Sequence, residues 1–467
     1  VSVKPVPPVG FDTTVPIVVV GAGAAGFCAA LAATEAGVEV AILERDSLPR
    51  GSTALSAGLI PAAGTRFQKA LGIADGAEQF ASDLERKAHG EADAAIVEAV
   101  ARAAGPTIEW LAERYGLPFS VVHDFDYPGH SARRMHGLPT RSGVELIDCL
   151  REAAVDAGAA LIVNATVSAL HAEAARVIRG VEIARPDGAR ETIGCRALVL
   201  ACNGYGGAPE LVARHIPEMR GAQYFGHPGN RGDAVVWGEA LGAKLLHMSG
   251  YQGHGSVAHP HGILITWAVI MEGGFQVNAE GLRFSDESQG YSEQSAIVLA
   301  QPDGTAFDIF DERIAAIARQ FADFRDAEAA GAIVEAATIA DLAQRLHLPA
   351  PALRQSFAEV EDAKRVGKHD RFGRDFAGVQ RLMPPFNAVE VTGALFHTQG
   401  GLAVDRAARV LTTQGARLPN LFAAGGAAAG VSGSRASGYL SGNGLLTATV
   451  LGRIAGESAA ALVKAGR

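Results

Sequence analysis

One segment limits the possible folds more than any other. Gly21-Ala22-Gly23-Ala24-Ala25-Gly26 follows at once on the run Pro16-Ile17-Val18-Val19-Val20 and leads into an Ala-rich stretch from Phe27 to about Ala36. The apolar run is short, continuous and β-branched, as expected of a strand buried on both faces of a parallel sheet. Gly37 ends the helix, and a second strand, Val38 to Leu43, runs into Glu44. This is a βαβ unit of about thirty residues. Gly21 permits the tight turn, Gly23 lets backbone approach a pyrophosphate, and Gly26 lets the helix lie close to the sheet. The first helical turn, with Ala24 and Ala25, offers unpaired N–H groups and a positive dipole to phosphate. Glu44 lies 23 residues after Gly21, where a carboxylate accepts both hydroxyls of an adenosine ribose and repels a 2′-phosphate; Arg45 adjoins it. A glycine-rich helix start with a surface Glu is the competing reading, and each contextual requirement of the fingerprint counts against it. The pattern is common to FAD and NAD sites.

Composition sets the class. The chain has 467 residues, 48% hydrophobic and 19% charged, which places it among globular proteins with two lobes. With 41 basic against 50 acidic residues and no dense basic run, a nucleic-acid partner is not expected. Cys28, Cys149, Cys195 and Cys202 form no CxxC pair and read as reduced, buried residues rather than disulfides, and no metal site is expected. No apolar stretch reaches membrane-span length and the N-terminus lacks an export pattern, so a cytoplasmic protein without a membrane span is expected. Val1 is read as following a removed methionine or precursor segment.

Along the chain, residues 1–15 read as a Pro-rich leader. Helical spacing covers 76–118 and 143–157; period-two alternation around 159–170 and 177–193 suggests a small antiparallel element. Ala197-Leu198-Val199-Leu200-Ala201 is another buried strand, with Gly204 behind it, and 232–243 is a helix ending at Gly242. From 249 to 396 histidines and aromatics increase and long amphipathic helices are expected at 311–331 and 338–365, a second lobe inserted into the first. The sheet pattern returns at Leu421 to Gly426, and a last helix follows from about Gly444.

Two features favour a flavin over a nicotinamide. Gly51-Ser52-Thr53-Ala54-Leu55-Ser56-Ala57-Gly58 is small and hydroxylic enough to pass beneath a flavin and its ribityl phosphate. Gly425-Gly426 and Ser441-Gly442-Asn443-Gly444-Leu445 precede a helix whose N-terminus suits negative charge on a reduced flavin. Together with Ala201-Cys202-Asn203-Gly204, Gly229-Asn230-Arg231-Gly232-Asp233, Glu280-Gly281-Leu282-Arg283-Phe284 and Thr398-Gln399-Gly400-Gly401, these motifs give the chain a resemblance, over nearly its whole length, to the flavoproteins related to fumarate reductase and succinate dehydrogenase, including the ketosteroid dehydrogenases. The resemblance implies an α/β fold: a Rossmann-like FAD-binding domain (1–248 and 397–467) with an inserted α+β capping domain (249–396), and a catalytic cleft between them. It also implies Val167 at the adenine and Asp233 near the ribityl chain. Some relatives attach FAD through a histidine in the stretch matching 51–58; none occurs here, so non-covalent FAD is implied.

The family's dicarboxylate reductases hold substrate with two histidines, a Thr–Glu pair and an arginine, and protonate it through a second arginine. By motif, His254 matches the first histidine and Thr266 the threonine. Trp267 stands at the glutamate, Tyr291 at the proton-shuttle arginine, Phe396 at the second histidine with His397 one residue late, and Tyr439 at the carboxylate-binding arginine, with Arg435 nearby. These changes remove bidentate partners for a dianion and add apolar, stacking area. Tyr291, and Tyr127 in Asp124-Phe125-Asp126-Tyr127-Pro128, resemble the ketosteroid dehydrogenase arrangement, and Tyr439, next to the flavin-facing helix start, is a further catalytic candidate. The expected chemistry is hydride transfer between flavin and a C–C bond conjugated to a carbonyl, with Tyr291 as base once a neighbour such as His254 favours its phenolate. Alternatives stay open: a buried structural Tyr291, a wall-forming Trp267, a reductase of small unsaturated carboxylates using Arg435 and His397, and a subunit passing electrons to a partner. The expected partners are a small-molecule substrate and an electron acceptor or donor.

Overall fold

A computed structural model describes residues 1–123, 127–174 and 176–466. They cluster into two compact units, one of residues 1–215, 226–251 and 397–467 and one of 216–225 and 252–396.

The first unit is organised by a six-stranded sheet, ordered Arg409–Leu411, Arg417–Ala423, Ala197–Leu200, Ile17–Val20, Val40–Leu43, Ala160–Ile162. All neighbours pair in parallel except the first two. The three central strands are wholly buried, which explains their unbroken apolar sequence. The helices Ala24–Glu35 and Asn443–Ala465 lie together so closely that a Cβ at Gly456 would sit 2.1 Å from the Ala29 carbonyl oxygen. The latter helix is the only one among the described residues with the length and apolarity of a membrane span, and 61% of its most apolar window is buried inside the protein.

A second, five-stranded sheet corrects two sequence expectations. Residues 1–15 are not only a leader: Ser2–Lys4 pairs in parallel with Ala169–His171 and Thr13–Thr14 with Ile193–Gly194, adding both edges of that sheet. The alternating stretch 159–170 divides between the sheets. Ala160–Ile162 joins the six-stranded sheet in parallel, the chain turns at Asn164 (φ 52°), and Thr166–Ala172 begins the antiparallel part of the second. Periodicity alone does not distinguish these partners, because both present alternate side chains to a core.

The second unit holds a seven-stranded sheet built on the long strand Phe386–Thr398, whose last two residues group with the first unit. Residues 216–225 belong with it because Gln223–Tyr224 pairs with Ala394–Leu395. The two long helices expected here are each broken. Asp311 caps Glu312–Ala318, and the chain restarts at Ala322–Ala329; Ile339–Arg345 stops before Pro349, where Ala350–Val366 begins. Proline cannot continue a helix but suits its first turn. The unit's polar centre is an ion cluster: Arg283 bonds Glu287 at 2.7 Å and also Asp370, and Arg374 lies 3.2 Å from Glu287.

Candidate active site

In the first unit a cleft opens at the carboxyl end of Ile17–Val20. A Cβ at Gly26 would lie 1.9 Å from the Gly21 carbonyl oxygen, so only glycine lets the helix begin this close to the turn. Glu44 accepts the backbone N–H of Ala22 at 2.8 Å and of Asp46 at 3.0 Å, which holds its carboxylate at the cleft. Gly21, Gly23, Glu44, Arg45, Gly51, Ser52, Thr53, Val167, Ala201 and Asp233 all line it. Val167 arrives there because Ala165 N–H bonds the Glu44 carbonyl (2.8 Å) just before its strand starts. Thr53 Oγ1 accepts from Ala24 N–H (3.1 Å), while Ser52 Oγ accepts from Asn230 Nδ2 (2.8 Å). Burial raises the Asp233 carboxyl above its ordinary pKa, against the pull of Arg45.

Other expected cofactor residues lie outside the cleft lining. Ala25 packs against the last helix at Gly452. Ser56 donates to the Thr53 carbonyl (2.7 Å), Ala57 is exposed, and Gly58 adopts φ 65° against Ser142. Gly204 lies against Thr398, and Gly426 against Asn203. Gly425, Ser441, Gly444 and Leu445 belong to the return of the chain into the last helix. Several lining residues escaped sequence reasoning, among them His227, Asn230 and Trp237. Asn230 sits inside a quoted motif, and Trp237 falls one helical turn after Asp233, spacing that would have placed it on the same face. Trp237 is fully buried and its Nε1 has no hydrogen-bond partner among the described residues, an orphaned donor at the cleft wall. A glycine-cradled turn, an acidic strand end and this donor fit the adenosine and pyrophosphate of a dinucleotide.

The loop with Tyr127 packs against the chain just after Tyr439: His130 Nε2 donates to the Ser441 carbonyl (3.0 Å), and a Cβ at Gly129 would meet Leu440 at 2.7 Å. Tyr127 itself contacts the small apolar cluster of Leu59, Val122 and Met135. Asp124, Phe125 and Asp126 lie outside the described residues. His397 Nδ1 accepts from Gln399 Nε2 at 2.7 Å, and burial pushes its pKa down to about 4, so it is neutral. Its ring lies 3.8 Å from where a Cβ at Gly444 would be. Arg435 Nε donates to Glu91 at 2.6 Å and is largely exposed.

In the second unit the expected residues form an aromatic stack. His254 lies face to face with Tyr291 (5.2 Å, 19°), tilted on Phe396 (5.6 Å), and edge-on to Trp267 (5.5 Å, 88°). Phe225 stacks on Phe396 at 4.8 Å. The Ser256 N–H donates to His254 Nδ1 at 3.1 Å, which leaves the proton on Nε2. Burial drives the His254 pKa down to about 3, so this histidine is a neutral donor. It therefore brings no positive charge to favour a Tyr291 phenolate. Thr266 is held locally, its Oγ1 accepting from Ala268 N–H at 3.4 Å.

The protein carries this site on a known scaffold. A family model described as an FAD binding domain matches residues 16–445. The chain belongs to the fumarate reductase and succinate dehydrogenase family of flavoproteins. This flavoprotein is an FAD-dependent oxidoreductase acting on CH–CH groups. It is 30% identical over 455 residues to a probable fumarate reductase of Shewanella frigidimarina, covering 97% of this chain and 76% of that one. The open conformation of a flavocytochrome c3 fumarate reductase is similar with a TM-score of 0.84 at 29% identity, over 97% of this chain and 79% of that one. The 3-ketosteroid-Δ4-(5α)-dehydrogenase of Rhodococcus jostii, solved with 4-androstene-3,17-dione, shares the fold with a TM-score of 0.78 at 24% identity, over 98% of this chain and all of that one.

Proposed function

We propose that this flavoprotein holds FAD non-covalently and catalyses dehydrogenation next to a carbonyl, or reduction of the corresponding enone, on an uncharged and fairly apolar substrate such as a cyclic ketone. One observation carries the reading: the candidate substrate residues hold no available positive charge. His254 and His397 are neutral, Arg435 is paired with Glu91, and tyrosine, phenylalanine and tryptophan fill the positions where dicarboxylate reductases keep charged or histidine side chains. A dicarboxylate in such surroundings would lose the bidentate partners that offset its desolvation.

The cleft residues Glu44, Val167 and Trp237 would hold the adenosine half of FAD, with Asp233 toward the ribityl chain, and the absence of histidine in 51–58 supports non-covalent attachment. Bound FAD supplies two-electron hydride chemistry. The chain's own residues supply the rest. A hydrogen-bonded substrate carbonyl acidifies the adjacent C–H, and Tyr291 exchanges the proton with that carbon; Tyr439 is the second candidate acid. His254 orients the substrate through Nε2–H. What joins residues of the two units in one reaction is the family resemblance.

Anaerobic addition of 4-androstene-3,17-dione or its saturated ketone precursor, against succinate and fumarate, with the flavin spectrum monitored, tests this directly. Bleaching by a saturated ketone is expected. Response to the dicarboxylates alone would favour the second reading, a fumarate-type reductase, which the Shewanella relative's name supports. Tyr291→Phe should lower turnover by at least about a hundredfold with FAD retained; undiminished turnover removes Tyr291 from catalysis.

A further inference from the structure

Trp267 is 8% exposed, and its indole Nε1 is buried without a hydrogen-bond partner among the described residues. A buried N–H left unpaired costs free energy, and native proteins rarely tolerate one without a use. Here the residue has no freedom to seek water. Its carbonyl accepts from the N–H groups of Ile270 and Met271, both at 3.1 Å, and its ring meets His254 at 88° and Tyr291 at 73°. His254 beside it also presents an N–H, because Ser256 occupies its other nitrogen. Two neutral donors thus stand on rings 5.5 Å apart, with Tyr291 and Phe396 against the His254 ring, and suit an oxygen that accepts two hydrogen bonds.

We infer that Trp267 determines specificity: its indole N–H, together with Nε2–H of His254, holds one uncharged oxygen of the substrate. This rests on the reading of the substrate as a neutral carbonyl compound. A carboxylate is disfavoured because neither donor is cationic to offset its desolvation, and a hydrocarbon because it would leave both donors unpaired.

The test uses the FAD-loaded protein, labelled for detection of indole N–H resonances, of which the three tryptophans give three. Trp267→Phe assigns the relevant one; should that variant not fold, Trp110→Phe and Trp237→Phe assign it by elimination. With 2-cyclohexenone the Trp267 resonance is expected to move downfield, and with cyclohexene to stay. Trp267→Phe should raise KM for a saturated cyclic ketone roughly five- to tenfold with kcat nearly unchanged. A resonance unmoved by the ketone, or equal weakening of both ligands, overturns the inference and makes the indole N–H a structural contact with the His254 ring. If ketones never bleach the flavin yet shift the resonance, the proposed reaction fails and the anchor stands; bleaching with an unmoved resonance means the reverse. Neither signal overturns both.

Discussion

The neutrality of His254 is open to a quantitative test. Its native pKa of about 3 lies well below the ordinary 6.5, because burial among aromatic rings penalises the charged ring. Between those values the unfolded chain binds a proton that the native state refuses, so stability falls as pH drops below 6.5 and the loss is complete only near pH 3. At pH 5 the difference is about 1.5 pH units, or about 2 kcal/mol at 1.36 kcal/mol per unit. His254→Asn removes the titration while offering an amide oxygen to the Ser256 N–H that His254 Nδ1 now accepts at 3.1 Å. The assay is urea unfolding of the FAD-loaded protein at pH 7.5 and pH 5. His130, His136 and His397 have lowered pKa values too, but they act equally in both proteins and cancel. The wild type should lose about 2 kcal/mol more than the variant between the two pH values. Parallel losses would mean that His254 accepts a proton in the folded protein. It would then be a cation in mild acid, and the argument against a carboxylate substrate would fall.

Gly26→Ala should weaken FAD binding by at least about tenfold in an apoprotein titration, because a Cβ 1.9 Å from the Gly21 oxygen forces the helix away from the turn. Arg435→Ala should leave ketone turnover within about twofold, since the arginine is exposed and already paired with Glu91; a large loss would give it a substrate role. Arg283→Met leaves Glu287 and Asp370 buried beside one fewer cation and should destabilise the second unit by about 3–5 kcal/mol, read by thermal unfolding.

The dinucleotide turn was legible because its causes are local. Four buried residues, three spaced glycines and one acidic strand end lie within a single supersecondary unit. The edge strands at Ser2–Lys4 and Thr13–Thr14 were not legible, since a short edge segment is defined by partners more than 160 residues away. The same holds for 159–170, where one alternating pattern serves two sheets. In the site, the family resemblance brought His254, Trp267, Tyr291 and Phe396 to attention, yet the roles of a neutral donor and an orphaned indole came from their surroundings. Arg435 shows the contrast: beside Tyr439 in sequence it looks like a substrate cation, but Glu91, 344 residues away, neutralises it.

The sequence by itself determined the FAD-binding scaffold and the residue types available for chemistry, because steric permission at glycine and burial of apolar runs are properties of neighbouring residues. The tertiary structure decided which of those residues carry charge. Protonation and ion pairing depend on desolvation and on partners supplied by distant segments, and no local pattern encodes either.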